Sequence, residues 1–279
     1  MLNHAPQPLN LSSMPYAFVT TNLLDLRAEP SNQSERLSQL LFADTLEIFD
    51  EQGGFARIKQ ADGYTGWADS RFLATVPATV AINYRKSLNA VIGVSEGKIL
   101  NLRTAESVPP HFLYYGTPIH LSSQRGPYAV VSTPDLKRYR ISGSALKPID
   151  PKRVQTVSGP ALVREAKRFL GVPYVWGGIS PAGFDCSGLV RTVCGRFGLY
   201  LPRDTKDQIE VGRHIDRSDI RTGDLLFFKR HVGFAIGTNQ IIHASRGGGG
   251  VRINALVAGA LNYRPDLDQD FQEARRILK

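Results

Sequence analysis

Val172-Pro173-Tyr174-Val175-Trp176-Gly177-Gly178, followed after five residues by Phe184-Asp185-Cys186-Ser187-Gly188, is the stretch whose reading decides the fold of this chain. Leu189, Val190, Val193, Cys194 and Phe197 recur at helical spacing behind it, and Gly198 stops the run, so Cys186 opens a helix. Unsatisfied N–H groups and the positive end of the helix dipole favour thiolate at such a position, which predicts a nucleophilic thiol. Cys194 lies eight residues further along the same helix, about 12 Å of rise and beyond disulfide reach. It reads as a small core residue.

On either side of this stretch the pattern is helices and then strands. Ser158 to Leu170 has a helical period, with Ser158 as cap, Pro160 in the first turn and Gly171 at the stop. A short helix is expected from Asp204, as cap, to Val211. Strands follow at Leu225–Phe228, Val232–Ile236, Gln240–Ala244 and Val251–Ile253. Helices followed by a run of strands indicate an α+β layer fold. The tail is open to two readings. Leu267, Phe271, Ala274, Ile277 and Leu278 fit a helical period, whereas the family resemblance that the motifs carry implies a closing strand over about 274–278.

His231 and His243 stand on consecutive strands joined by the Gly237-Thr238-Asn239 turn, so their imidazoles can lie side by side. A thiol attacks a carbonyl only as thiolate and needs a base, and a second histidine can hold that base in the right tautomer.

Upstream, Asn22–Arg27, Thr45–Phe49, Phe55–Lys59 and Tyr64–Ala68 read as short strands, with hairpin turns at Gly53-Gly54 and Asp62-Gly63. Residues 80–148 repeat this texture more weakly, with strands at Lys98–Arg103, Pro118–Leu121 and Ala129–Ser132. Pro148-Ile149-Asp150-Pro151 reads as a linker.

Leu26-Arg27-Ala28-Glu29-Pro30 and Gly63-Tyr64-Thr65-Gly66-Trp67 resemble the opening signature and late hairpin of a bacterial SH3 (SH3b) domain. Pro-Tyr-x-Trp-Gly-Gly, Asp-Cys-Ser-Gly, His-Val-Gly and Ile-His-Ala, in that order, resemble the NlpC/P60 family of papain-like cysteine peptidases. The expected architecture is multidomain. Two small SH3b-like β-barrels, over 1–76 (with an N-terminal extension) and 77–150, precede a papain-like α+β NlpC/P60 domain over 151–279.

The order of domains is similar to that of bacterial γ-D-glutamyl-L-diamino-acid endopeptidases, and that resemblance implies roles. Cys186 is then the nucleophile, His231 the general base, His243 the orienting residue and Tyr174 an oxyanion donor beside the Cys186 N–H. It also implies that Trp176 lines the pocket, that Asp185 and Ser187 contact the substrate peptide, and that Asp204, in a segment with Thr205, binds a free N-terminal amine. Tyr64 closes the site from the first barrel, and Glu35 matches loosely as a second group facing the amine. A plain helix cap is the alternative role for Asp204, and an ordinary strand aromatic that for Tyr64.

Composition narrows the partners. Residues 1–151 carry 14 Lys+Arg against 13 Asp+Glu, and residues 152–279 carry 20 against 12, so the basic half is the half with Cys186. An anionic substrate fits this better than nucleic acid, because the basic residues are scattered and not interleaved with an aromatic RNA-binding motif. The six histidines lack zinc-finger or HExxH spacing, so neither metal nor cofactor is expected, and His111, His120 and His214 read as surface or core residues. Gly247-Gly248-Gly249-Gly250 lacks the following Lys-Ser/Thr of a phosphate loop and reads as a hairpin connection.

No apolar run reaches the roughly 20 residues of a membrane span. Residues 1–13 lack a secretory pattern, so the expectation is a cytoplasmic monomer. The family resemblance implies a muropeptide substrate, L-Ala-γ-D-Glu-diamino acid, cleaved during recycling. The alternatives are a D,L-endopeptidase or amidase on intact peptidoglycan, or a non-catalytic wall-binding protein.

Overall fold

The computed structural model describes residues 15–149 and 156–278, so His4 and the Asp150-Pro151 end of the expected linker lie outside the described residues. The first unit has seven strands: Tyr16–Val19 (β1), Leu23–Arg27 (β2), Arg36–Leu41 (β3), Thr45–Gln52 (β4), Phe55–Lys59 (β5), Thr65–Asp69 (β6) and Leu73–Val76 (β7). They form one antiparallel sheet in the order β3-β2-β6-β5-β4-β1-β7. Gly53 and Gly54, at φ 59° and 83°, make the β4–β5 turn, a backbone conformation that costs glycine nothing. Every second residue of these strands points inward, and Leu26, Leu40, Leu46 and Ile58 are fully buried.

A helix, Ala78–Ser87 (α1), comes next, where the sequence read as strands only. Only Ala81 and Tyr84 of α1 are buried, and the Tyr84 hydroxyl donates to the Ser132 carbonyl at 3.0 Å. Packing therefore decides this segment, overriding its β-branched Thr79, Val80 and Ile82.

The second unit comprises Ala90–Ile92 (β8), Glu96–Leu100 (β9), Ser107–Tyr114 (β10), Pro118–Arg125 (β11), Tyr128–Ser132 (β12), Arg138–Ser142 (β13) and Leu146–Pro148 (β14). Its order, β10-β9-β13-β12-β11-β8-β14, repeats that of the first unit strand for strand. The strand expected from Lys98 to Arg103 ends earlier, at Leu100.

The third unit begins with Gly159–Lys167 (α2), whose N-cap Ser158 makes no side-chain capping bond. The small ladder Ile179–Ser180 (β15) and Gly183–Phe184 (β16) leads into Cys186–Gly195 (α3), followed by Thr205–Gln208 (α4), which is shorter than expected. The remaining elements are Arg213–Ile215 (β17), Leu225–Phe228 (β18), His231–Ile236 (β19), Gln240–Ser245 (β20), Gly250–Ala255 (β21), Pro265–Gln269 (α5) and Phe271–Arg276 (β22). The sheet order is β17-β22-β18-β19-β20-β21.

Residues alternate across this sheet. Leu225, Phe227, Val232 and Phe234 face α2 and α3 together with a fully buried Cys194, while Leu226, Phe228 and Ala235 pack with Leu267 and Ala274 on the other side. The helical reading of the tail is thus corrected. Residues 271–276 form a strand between β17 and β18, because Ala274 fills a place in the second core.

Both N-terminal units are fastened to the third. Arg191 pairs with Asp62 at 2.5 Å, and Gln39 Oε1 accepts the Ile179 N–H. From the second unit, Tyr115 is fully buried in the core around α2 and α3. Its ring stands edge-on to Phe169, and its hydroxyl donates to Glu165 at 2.9 Å. Among the described residues no helix is long and apolar enough to cross a membrane.

Candidate active site

Cys186 is the first residue of α3, and Asp185 is its N-cap. Asp185 Oδ1 accepts the Gly188 N–H (2.7 Å) and Oδ2 the Gly177 N–H (2.9 Å). Arg203, 2% exposed, pairs with both oxygens, donates to Ser187 Oγ at 2.8 Å, and reaches Ser38 of the first unit at 2.9 Å. Asp185 and Ser187 are buried, and their polar atoms are committed to this lattice, which fixes where α3 starts. Gly188 has no alternative, since a Cβ there would lie 2.1 Å from the Gly178 carbonyl oxygen.

At the sulfur, burial works against the field of the helix start. Burial pushes the Cys186 thiol up, the Asp185 carboxylate adds to this, and the Thr205 hydroxyl and the Val232 and Ser187 amides oppose it. Thr205 Oγ1 lies 3.8 Å from Sγ. A thiol pushed up by burial attacks a carbonyl only once a base takes its proton.

The expected base is next in the chain to a residue at the sulfur, because His231 precedes Val232 in β19 and the Val232 backbone amide acts on the thiol. His231 Nε2 lies 2.6 Å from His243 Nδ1. Gly233 makes this possible, as a Cβ there would fall 2.8 Å from His243 Cβ. Burial lowers the pKa of His231, with His243 and Arg264 adding to the effect. Burial likewise lowers that of His243, again with help from Arg264. Both rings are neutral near pH 7.

Neutral rings fix the protons. Asn254 Nδ2 donates to the Asn262 carbonyl at 2.8 Å, which turns its Oδ1 toward His243 Nε2 at 3.0 Å. An amide oxygen only accepts, so His243 carries its proton on Nε2 and offers a lone pair at Nδ1. His231 Nε2 must then donate, which leaves His231 Nδ1 unprotonated, with a lone pair able to accept a proton. Asn254, 4% exposed, was not singled out in the sequence, and neither was Arg203, although it stands inside the Leu201-Pro202-Arg203-Asp204-Thr205 segment.

Tyr174 lies close enough to Cys186 for the two to interact electrostatically, and burial raises its phenol pKa, so it remains an O–H donor. Trp176, 56% exposed, donates from Nε1 to Glu35 at 2.9 Å, which brings the loosely matched Glu35 to the cleft. Asp204 sits at the N-cap of α4 but makes no side-chain capping bond, against the helix-cap reading. Its carboxylate accepts from the Tyr64 hydroxyl at 3.2 Å instead. Burial and this carboxylate raise the Tyr64 pKa, so Tyr64 is also a standing donor.

The other described histidines lie apart from this cluster. His214 pairs with Glu273, His120 bonds the Ser87 carbonyl, and His111 is exposed beside Ser107.

Comparison with known proteins agrees with the geometry. Residues 171–264 match the NlpC/P60 family, and residues 22–74 match the bacterial SH3 domain. The chain is 44% identical over 114 residues to the murein DD-endopeptidase MepS/murein LD-carboxypeptidase of Escherichia coli K12, 39% of this chain and 57% of that protein. It thus spans little more than half the length of that relative. With the γ-D-glutamyl-L-lysine dipeptidyl-peptidase of Bacillus subtilis 168 it shares 28% identity over 235 residues, 78% of this chain and 75% of the relative. An NlpC/P60 family protein from Bacillus cereus ATCC 10987 has the same fold, with a TM-score of 0.82 at 21% identity, covering 95% of this chain and all of that one. A cysteine-opened helix, a histidine pair on adjoining strands and these matches lead to one assignment: the chain belongs to the NlpC/P60 hydrolase family, with a bacterial SH3 domain ahead of its peptidase domain.

Proposed function

We propose that the chain hydrolyses the γ-D-glutamyl–L-diamino acid bond of muropeptides that carry a free N-terminal L-Ala. Cys186 Sγ attacks the γ-carbonyl while His231 Nδ1 takes the thiol proton. The Tyr174 hydroxyl and the Cys186 N–H receive the oxyanion. His231 then returns the proton to the departing amine, leaving a thioester that water, deprotonated by the same nitrogen, hydrolyses to free the thiol. His243 and Asn254 hold His231 in the working tautomer. Asp185 and Ser187 hold the helix start against the substrate, and Trp176 walls the pocket.

The observation that carries the substrate reading is the Tyr64–Asp204 contact. It places a carboxylate, which forms no ion pair among the described residues, one residue from the Thr205 that touches the sulfur. A substrate ammonium supplies the missing counter-charge. Such peptides are products of earlier wall breakdown, so the role is recycling, in the cytoplasm. The second unit is a second SH3b-like barrel, supported by its identical strand order, and the peptidase domain is papain-like in its helix-borne cysteine and strand-borne histidines.

The test is kcat/KM on L-Ala-γ-D-Glu-diaminopimelate with and without N-acetylation. Capping should cost about 100-fold or more, since it removes the cation that pairs with the half-buried Asp204 carboxylate. Equal rates favour a second reading, an endopeptidase on intact peptidoglycan, which the 44% identity to MepS supports.

A further inference from the structure

The β20–β21 turn places cations at the cleft that the mechanism above does not use. Arg246 is exposed and has no ion pair or side-chain hydrogen bond among the described residues. Its guanidinium acts electrostatically on the Tyr174 phenol. The turn is not loose. Gly249 accepts the Tyr174 N–H at 3.1 Å and donates to the Arg246 carbonyl at 3.2 Å, while Val172 and Val251 bond each other at 2.8 Å. Arg252, paired in register with His243 across β20 and β21, reaches back to the Gly248 carbonyl at 3.0 Å and so lies over the same turn. It too lacks a carboxylate partner among the described residues. Arg264, by contrast, is already neutralised by Asp266 at 2.5 Å.

The cleft is thus polarised. Carboxylates (Asp204, Glu35) are set beside Tyr64 and Trp176, and the unpaired Arg246 guanidinium beside Tyr174, with Arg252 over the same turn. Cys186 adjoins Thr205 at the one and Tyr174 at the other. A ligand matching this field carries an ammonium at one end and a carboxylate close to or beyond the scissile bond.

We propose that Arg246, supported by Arg252, is a specificity determinant that binds a carboxylate of the substrate peptide, an inference that rests on the muropeptide reading above. Two sources offer this chemistry. A γ-linked glutamyl residue keeps its own α-carboxylate, and the diamino acid of the leaving group has one, or two if it is diaminopimelate.

The experiment measures kcat/KM for the full chain and for Arg246→Gln and Arg246→Lys on four tripeptides. These are L-Ala-γ-D-Glu-meso-diaminopimelate, its glutamyl α-amide, its diamino-acid α-amide, and the lysine analogue that lacks the distal carboxylate. Deleting the recognised carboxylate should slow the unmodified protein about tenfold to 100-fold, the range for a charge-assisted bond. The same deletion should make little difference in Arg246→Gln, and Arg246→Lys should fall between. The peptide that shows this pattern names the source. If Arg246→Gln slows all four peptides equally, or none of them, the inference is overturned while the peptidase reading stands. If the unmodified protein cleaves none, the peptidase reading falls and this inference with it.

Discussion

Tyr64 and Asp204, 140 residues apart in the chain, meet at 3.2 Å across the seam between the bacterial SH3 domain and the peptidase domain. Neither side alone forms this corner of the cleft. Because the Tyr64 phenol is held protonated, it orients the carboxylate without neutralising it. Tyr64→Phe should therefore lower kcat/KM on the free-amine peptide by about tenfold, and by less on the N-acetylated peptide. Asp204→Asn should narrow the discrimination between the two further. Equal losses on both peptides would give Tyr64 a purely structural role.

Cys186→Ala should abolish turnover and leave the thermal transition nearly unchanged, since it removes one sulfur from a helix start. Cys194→Ala should do the reverse, retaining turnover and losing about 1 kcal/mol or somewhat more from a fully buried site. Comparable loss of turnover in both, with both still folded, would refute Cys186 as nucleophile.

The proton arrangement makes Asn254 testable. Asn254→Leu removes the acceptor that fixes the His243 tautomer and should cut kcat by about tenfold to 100-fold. Asn254→Asp, which still accepts, should retain more. Its added negative charge should also raise the pKa of the histidine pair and move the acid limb of the kcat/KM profile upward. An unshifted limb in Asn254→Asp would separate Asn254 from the pair. His243→Asn should likewise outperform His243→Ala.

With both histidine pKa values lowered by burial, the free enzyme should keep its base unprotonated below 6.5, so the acid limb lies on the acid side of an ordinary histidine. The stability effect has a definite sign. Below 6.5 the unfolded chain takes up protons that the folded histidines refuse, so stability falls as the pH drops through that window. Chemical denaturation at pH 7.5 and pH 5.5 should show this loss, and replacing His243 with Asn should reduce it.

Much of the site was legible because its groups sit in short motifs whose residue types have local reasons. Gly188 and Gly233 are there because a Cβ would strike the Gly178 carbonyl or His243, so each glycine advertises its neighbour. Asn254 gave no such signal. Val251-Arg252-Ile253-Asn254 alternates as many strands do, and its role depends on residues 256–263 bringing the Asn262 carbonyl back beside it. Arg203 was hidden in the same way, since its partners Ser38, Asp185 and Ser187 come from two domains. The α1 helix was illegible for a different reason: β-branched Thr79, Val80 and Ile82 alternate with helix formers Ala78, Ala81, Arg85 and Lys86, and where Ala81 and Tyr84 pack decides between them.

Tyr115→Ala should destabilise the chain by about 3–5 kcal/mol, the range for truncating a buried aromatic. Tyr115→Phe, which removes only the bond to Glu165, should cost about 1 kcal/mol. Thermal or denaturant unfolding monitored in the peptidase domain measures both. A loss confined to the second unit would contradict the shared core.

That shared core bears on how the gene can be cut and recombined. Two units with the same strand order serve the third differently, one by lining its mouth and the other by lending Tyr115 to its interior. A peptidase domain excised for fusion to another scaffold would carry a vacancy between Phe169 and its neighbours that no solvent molecule fills well. A swap of the first unit, in turn, would take Ser38 from Arg203 and Tyr64 from Asp204, so a graft that keeps all three units together keeps both the interior and the mouth.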